Sequence, residues 1–273
     1  MDIIMIAQIC LTPWESKRLI AKGVAQLDTV QKALSDGIIS IARGTTNGYV
    51  VEELLGISFE KERFVAGGIG PNRICVADLK IAKPEIAIVN GVLKEIPTSK
   101  IIPEMESGDI FIKGGNALDP NYNVGILLGS SVGGTIGGVI GSIYAKGIEL
   151  VLPCGLEKLI PIDVDTAAKA AGQSKINYAT GMTTGLFPVY GTTITEIQAL
   201  KLIANVDVTP LAAGGIVGGE GSIVLQVSGD EQAVQQIIEL VKTIKGEPPL
   251  NVVLESCKSC QWTCAWQGAN QPY

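Results

Sequence analysis

The chain has 273 residues, a formal net charge of −6 and no histidine. Without an imidazole it lacks the commonest general base, zinc ligand and neutral-pH switch; the acidic balance, with no run of Lys or Arg, argues against nucleic acid as the main partner. With 47% hydrophobic and only 18% charged residues, the chain can fill one large core, or a core and a satellite, and a homo-oligomer is expected to hide part of its surface.

Met1-Asp2-Ile3-Ile4-Met5 has no basic region and no small-residue cleavage site, so no signal peptide is expected and the location reads as cytoplasmic. Thr12-Pro13-Trp14-Glu15 sets up a helix start, with Thr as cap, Pro in the first turn and Glu three residues after the cap. Leu19, Ile20, Val24 and Leu27 continue it at helical spacing. A short helix from Val30 to Leu34 closes at Asp36-Gly37. The apolar strand Ile38–Ile41 then runs through Ala42-Arg43-Gly44-Thr45-Thr46-Asn47-Gly48 into a helix from Tyr49 to Leu55, stopped by Gly56.

Further strands are expected at Arg63–Ala66, Ile74–Ala77, Ile86–Asn90, Asp109–Lys113, Val124–Leu128 and Leu150–Pro153, with Asn90-Gly91 as a two-residue hairpin turn. Pro120 to Ala145 carries no charge and has small-xxx-small spacing at Gly134/Gly138 and Gly137/Gly141. Its asparagines, serines and glycines make it a strand, a Gly-rich loop and a buried helix, not a membrane span. Strands alternating with helices, the strands continuously apolar, indicate an α/β fold with a mostly parallel, two-sided sheet.

From Gly185 the rhythm changes. Strand Leu186–Tyr190, helix Thr195–Ile203, strands Val206–Ala212 and Ile223–Val227, and a helix from Glu231 to Ile244 capped by Asp230 give the order β-α-β-β-α. Leu250–Leu254 is a candidate last strand. This predicts a small ferredoxin-like subdomain. The expected division is residues 1–184 for the α/β body, 185–254 for the subdomain and 255–273 for a Cys- and Trp-bearing tail.

A strand that stops at Gly44 and starts a helix with Thr45, Thr46 and Asn47 leaves backbone N–H groups, two hydroxyls and a helix dipole for an anion, with Arg43 as a charged donor. The same residues also read as an ordinary capped helix. In the tail, Cys257-x2-Cys260-x3-Cys264 is a soft-ligand spacing. It suits an iron–sulfur cluster with an outside ligand, or zinc completed by Cys10, Cys75, Cys154 or a neighbouring chain. A disulfide or free buried thiols are the competing readings.

The stretch Asp36 to Gly56 resembles the first phosphate loop of the ribose-5-phosphate isomerase A family. Ile112-Lys113-Gly114-Gly115-Asn116-Ala117-Leu118-Asp119-Pro120 is similar to that family's Asp-Gly-Ala-Asp-Glu-Val-Asp-Pro. Gly133-Gly134-Thr135 falls at its Gly-rich loop, with Glu157-Lys158-Leu159 after the next strand. These collinear matches point to the wider superfamily of that isomerase, the glucosamine-6-phosphate deaminases and the CoA transferases. They imply that superfamily's three-layer sheet and small lid domain.

The departures are chemical. Two of the family's carboxylates fall on Lys113 and Asn116, leaving Asp119, and its general-base Glu falls at or near Ile140. Ribose isomerisation is therefore not expected, and the deaminases' expected His is missing. The resemblance leaves Lys113 and Asp119 as candidate polar catalysts, with Arg43, Gly44, Thr45, Thr46, Asn47, Asn116, Gly133, Gly134 and Thr135 around a small phosphorylated, carboxylated or CoA-linked anion. Lys113 and Asp119 equally read as a structural ion pair. Glu220, in the Gly214–Gly221 loop, is a possible analogue of the CoA transferases' Glu nucleophile; a plain hairpin loop is the alternative. Two functions remain open: an enzyme for a small anion, or a non-catalytic module in which Cys257, Cys260 and Cys264 hold a metal.

Overall fold

A computed structural model describes residues 4–262 and 264–268. The chain opens with β1 (Ile4–Leu11) and α1 (Pro13–Ala25). Thr12 caps α1 in a closed capping box: its hydroxyl accepts from Glu15 N, and the Glu15 carboxylate accepts from Thr12 N. Then come α2 (Asp28–Asp36), β2 (Ile38–Ile41) and α3 (Thr45–Leu55), the last stopped by Gly56 in the left-handed conformation. Two hairpins follow, β3 (Gly67–Gly70) with β4 (Arg73–Val76), and β5 (Ile86–Val89) with β6 (Val92–Glu95). The second turns through Asn90 and Gly91, both at positive φ, as a tight turn of that sequence requires.

The middle of the chain supplies α4 (Thr98–Ile101), β7 (Ile110–Ile112), β8 (Ala117–Leu118), β9 (Val124–Leu128), α5 (Gly134–Lys146), β10 (Glu149–Pro153) and α6 (Val164–Ala170). It ends with β11 (Gly185–Val189), β12 (Thr192–Ile194), α7 (Glu196–Ile203), β13 (Val206–Gly214), β14 (Ser222–Asp230) and α8 (Glu231–Ile244).

The centre is a six-stranded mixed sheet in the order β12-β10-β7-β2-β5-β6. Strands β12, β10, β7 and β2 are parallel, and the β5–β6 hairpin adds two antiparallel strands at the far edge. Side chains alternate across it, as the two-residue strand period demands. Ile39, Ile41, Ile110, Ile112 and Val151 join one core with α1, α3 and α7, whereas Phe111, Leu150 and Leu152 join another with α5 and β9. No helix among the described residues is long and apolar enough to cross a membrane.

Helix α1 is the hub of the first core. Gly23 lets it approach α7 so closely that a Cβ there would lie 2.5 Å from the Ala199 Cβ. Arg18 reaches Glu52 at 2.6 Å, Glu53 at 2.9 Å and Glu247 at 3.0 Å, and stacks on Tyr49. One side chain thus ties α1 to α3 and to the turn after α8.

The C-terminal part differs from the expected subdomain. Strands β11 and β12 leave it: β11 pairs with β9, and β12 extends the central sheet beside β10. The small sheet is instead β1-β14-β13, antiparallel, with β1 coming from the N-terminus. Its outer face explains why β1 is hard to see in sequence. Ile4 and Ile6 stand out to solvent while Ile9 and Leu11 are buried against α8 and its neighbours, so apolar residues lie on both faces and no alternation shows. Leu250–Leu254 forms no strand; Leu254 makes a single bridge to Ala77. Of residues 63–66, expected extended, Arg63 ends a short 3-10 turn (Lys61–Arg63), and the strand comes later at Gly67–Gly70.

Candidate active site

The parallel strands β2, β7 and β10 end side by side, so the segments that follow them share one edge of the sheet, where ligands of open α/β sheets bind. Asn47, fully buried in the first turn of α3, joins two of these segments. Its Nδ2 donates to Ala42 O at 2.7 Å and lies 3.5 Å from Ile112 O, while its Oδ1 has no partner. Gly44 N donates to Phe64 O, which fixes the turn before the helix. Arg43 is half-buried, and its Nε is buried without a hydrogen-bond partner.

Lys113 follows β7 directly. Its backbone N–H still extends the ladder to Val151 O, but its ammonium finds only Gly114 O, at 3.5 Å. Burial, reinforced by Lys158 and opposed by Glu85, pushes its pKa down to about 8. Glu85 in turn accepts from the Thr135 hydroxyl at 2.9 Å and from Thr98 N at 2.8 Å. The field of Glu85 therefore links the Gly133–Thr135 turn at the start of α5 to Lys113.

After β10 the chain makes a short turn, and there the structure collects charge that sequence reasoning missed. Glu157 lies 3.9 Å from both Lys17, of α1, and Lys158. Glu196, first residue of α7 and fully buried, accepts from Leu156 N at 2.9 Å. The Glu157 Oε2 and Glu196 Oε1 atoms are buried without a hydrogen-bond partner. Burial, with Glu157 nearby, pushes the Glu196 carboxyl up to about 7. Burial also pulls Lys17 down to about 8, although Glu157 favours its charge. Burial opposes the charge on Lys158 as well, yet Glu157, Cys154 and Glu196 hold its pKa above the ordinary value. Between them lies Cys154, its thiol pushed up by burial to about 11 and so a thiol at neutral pH.

A fold gains nothing from burying such a group of charges in place of apolar side chains. Titratable groups shifted this far and gathered at a sheet's carboxyl edge are the arrangement expected of a site that moves protons or binds an anion. Lys17 and Glu196 carried no sequence signal of their own. On a helix first turn, an acid reads as a favourable dipole partner and a Lys as a solvated face.

The other expected residues are placed as follows. Asp119 does not pair with Lys113. Its oxygens accept from Asn121 N, Asn123 N, Asn123 Nδ2 and Val164 N at 2.8–3.3 Å. Burial raises its pKa and these bonds outweigh that, leaving it below the ordinary value. It is a loop anchor. Asn116 accepts from Leu127 N at 3.1 Å and so braces β9. Gly133 and Gly134 take positive φ in the turn that starts α5. Glu220 is exposed at the β13–β14 turn, although the neighbouring Gly221 brings that turn to within 3.8 Å of the Glu157 Cβ when measured from a Cβ built at Gly221. Ile140 is partly buried against the second core.

In the tail, Cys257, Cys260 and Cys264 line a small cavity together with Cys75 of β4, Arg73 and Met182. Among the described residues no three His, Cys, Asp or Glu side chains already stand in an arrangement that could hold a metal ion. No disulfide forms; all six cysteines are free.

No family model matches the chain, and no curated protein matches it.

Proposed function

We propose that the chain is a cytoplasmic enzyme acting on a small phosphorylated, carboxylated or CoA-linked substrate at the carboxyl edge of β2, β7 and β10. The observation that carries this reading is Lys113: an enclosed ammonium at a strand end, held near pKa 8 with no close partner. Lys158 adds to the positive field on Lys113 and only Glu85 opposes it, and the N–H groups at the start of α3, Thr45, Thr46 and Asn47, add a helix N-terminus. Near its pKa, Lys113 is available both as a cation for an anionic group and as an amine for a carbonyl carbon. Glu196, poised near 7, and its neighbour Glu157 are the groups suited to carry a proton.

Ribose-5-phosphate isomerisation is not part of this reading. The proton shuttle of that reaction needs a carboxylate where Ile140 packs into the core, and its other acidic positions hold Lys113 and Asn116. The layering of the isomerase and CoA-transferase superfamily remains the architecture we favour, supported by the parallel strand order and the collinear loops.

The test is a thermal-shift screen of sugar phosphates, keto acids and acyl-CoAs, followed by calorimetry on the best ligand. Lys113→Ala is expected to abolish binding of that ligand, whereas Cys10→Ser, on the exposed strand β1, leaves it intact. Unchanged affinity in Lys113→Ala, or no ligand from any of the three classes, refutes the reading.

A further inference from the structure

The carboxyl edge leaves one chemically distinct cluster unused. Cys75 comes from β4, and Cys257, Cys260 and Cys264 come from a segment about 180 residues later; the four line the same cavity. They are four of the chain's six cysteines. We propose that Cys75, Cys257, Cys260 and Cys264 are the ligands of a single tetrahedral metal ion, zinc or iron, that fastens the C-terminal segment onto the β3–β4 hairpin.

Four observations support it. The donor set is all sulfur and four in number, the set that selects zinc or a single iron and excludes hard cations. The cavity is small, about 10 Å3, room for one water-sized sphere. Arg73 lines the cavity, and its buried Nε has no hydrogen-bond partner. Four thiolates around a divalent ion carry two net negative charges, and a guanidinium facing them supplies the compensation. Finally, the Trp262 backbone N–H donates to the Cys260 sulfur at 3.4 Å, which holds that sulfur in the cavity wall.

The backbone around the site is already docked. Asp78 N donates to Val253 O, Glu255 N to Val76 O, and Gly268 N to Cys257 O. Yet among its described residues the segment has no helix or extended strand, and Val253 and Trp262 are exposed. Such a segment buries little apolar surface against the entropy of ordering it. The four sulfurs line one cavity but do not stand at ligating geometry among the described residues, so metal binding requires them to converge. Binding replaces four S–H bonds by four metal–sulfur bonds and releases four protons; nothing is oxidised or reduced.

The inference does not depend on the anion site, and its test is separate. Full-length protein is purified anaerobically, and metal content, inorganic sulfide and thiol reactivity are measured before and after adding zinc. One zinc or iron per chain, no sulfide, and zinc-dependent protection of Cys75, Cys257, Cys260 and Cys264 from alkylation, with exposed Cys10 reactive and buried Cys154 protected throughout, are expected. Cobalt substitution should give thiolate charge-transfer and tetrahedral bands. Cys75→Ser and Cys257→Ser should each drop the metal from one per chain to near zero, while Cys10→Ser retains it. Full metal retention in Cys75→Ser overturns the assignment. Unchanged reactivity of Cys260 and Cys264, both partly exposed, when zinc is added to the wild-type protein does so without relying on a variant that folds. Several irons with stoichiometric sulfide would equally overturn it, in favour of a cluster.

Discussion

Replacing Lys113 by Met should make the protein more stable and, on our reading, inactive. The ammonium is held from its ordinary value of 10.5 down to about 8, chiefly by burial. The difference corresponds to about 3 kcal/mol of unfavourable interaction in the charged form. Part of the side chain still meets solvent, which lowers the figure, so a gain of about 1–3 kcal/mol at pH 7 is expected. The sign of the pH dependence follows from linkage. Because the folded pKa lies below the unfolded one, the unfolded chain binds more protons between pH 8 and 10.5. Wild-type stability attributable to Lys113 therefore rises across that window, and the advantage of Lys113→Met shrinks towards zero as the pH rises through it to 10.5. Urea unfolding of both proteins at pH 7 and at several values up to 10.5 measures this directly, with Lys17→Met as a companion because Lys17 is held near 8 as well. A variant that is less stable than wild type at pH 7, by an amount that does not change with pH, would show that Lys113 is a paired structural lysine.

Glu196→Gln should flatten the stability profile between pH 4.5 and 7. The folded carboxyl is raised to about 7 by burial and Glu157, so its favourable contribution is complete below 4.5 and lost as pH rises through 7; denaturant midpoints at three pH values check it. Gly23→Ala should cost about 1–3 kcal/mol in thermal or urea unfolding, because the new methyl group meets Ala199 at 2.5 Å and α1 and α7 must part. Arg18→Ala should cost about 3 kcal/mol, since Glu247 loses its ion-pair partner beside Glu52 and Glu53, which keep only Lys61 and Lys22; a loss below 1 kcal/mol would refute its role as a hub. We further propose that the outer face of β1, where Ile4 is 72% and Ile6 60% exposed, is covered in a homo-oligomer. Light scattering should then report a multimer that Ile6→Asp weakens.

What could be read from sequence follows the range of the interactions concerned. The cap at Thr12, the Asn90-Gly91 turn, β9 at Val124–Leu128 and α8 at Glu231–Ile244 depend on neighbours a few residues away, and their sequence signals agree with the structure. Sheet membership depends on distant pairing. Leu186–Tyr190 reads as a strand but gives no hint that it pairs with β9, nor that the N-terminal strand pairs with β14. The site divides in the same way. The Gly44–Asn47 turn and Lys113 are visible because they sit on local strand–loop–helix patterns. Lys17, Glu85 and Glu196 are visible only once the packing of α1, β5 and α7 brings their ends to the same edge. Asp119 was misleading for a related reason: its partners Asn121 and Asn123 are close in sequence, and that local network satisfies it before any substrate could.

The same packing explains why charge could accumulate at this edge. Segments after β2, β7 and β10 are fixed by hydrogen bonds that continue the strand ladders: Ala42 N to Ile112 O, Lys113 N to Val151 O, and Cys154 N to Ile194 O. Side chains at these positions hang from a backbone that cannot retreat to solvent. Lys17 and Glu196 come from α1 and α7, whose contact through Gly23 and Ala199 tolerates no added atom. Relaxing the buried Lys and Glu groups would mean parting these elements, so the shift of their pKa values is held by a close-packed helix contact. A site poised in this way should keep its shifted pKa values until global unfolding. Gly23→Ala, which loosens the α1–α7 contact, should therefore move the pKa of Glu196 back towards the ordinary carboxylate range, whereas loss of the α8 cap in Asp230→Ala, worth about 1 kcal/mol, should leave it unchanged. NMR titration of side-chain carboxyls in the two variants separates these outcomes; equal shifts in both would mean that the site is tuned by overall stability and not by this contact.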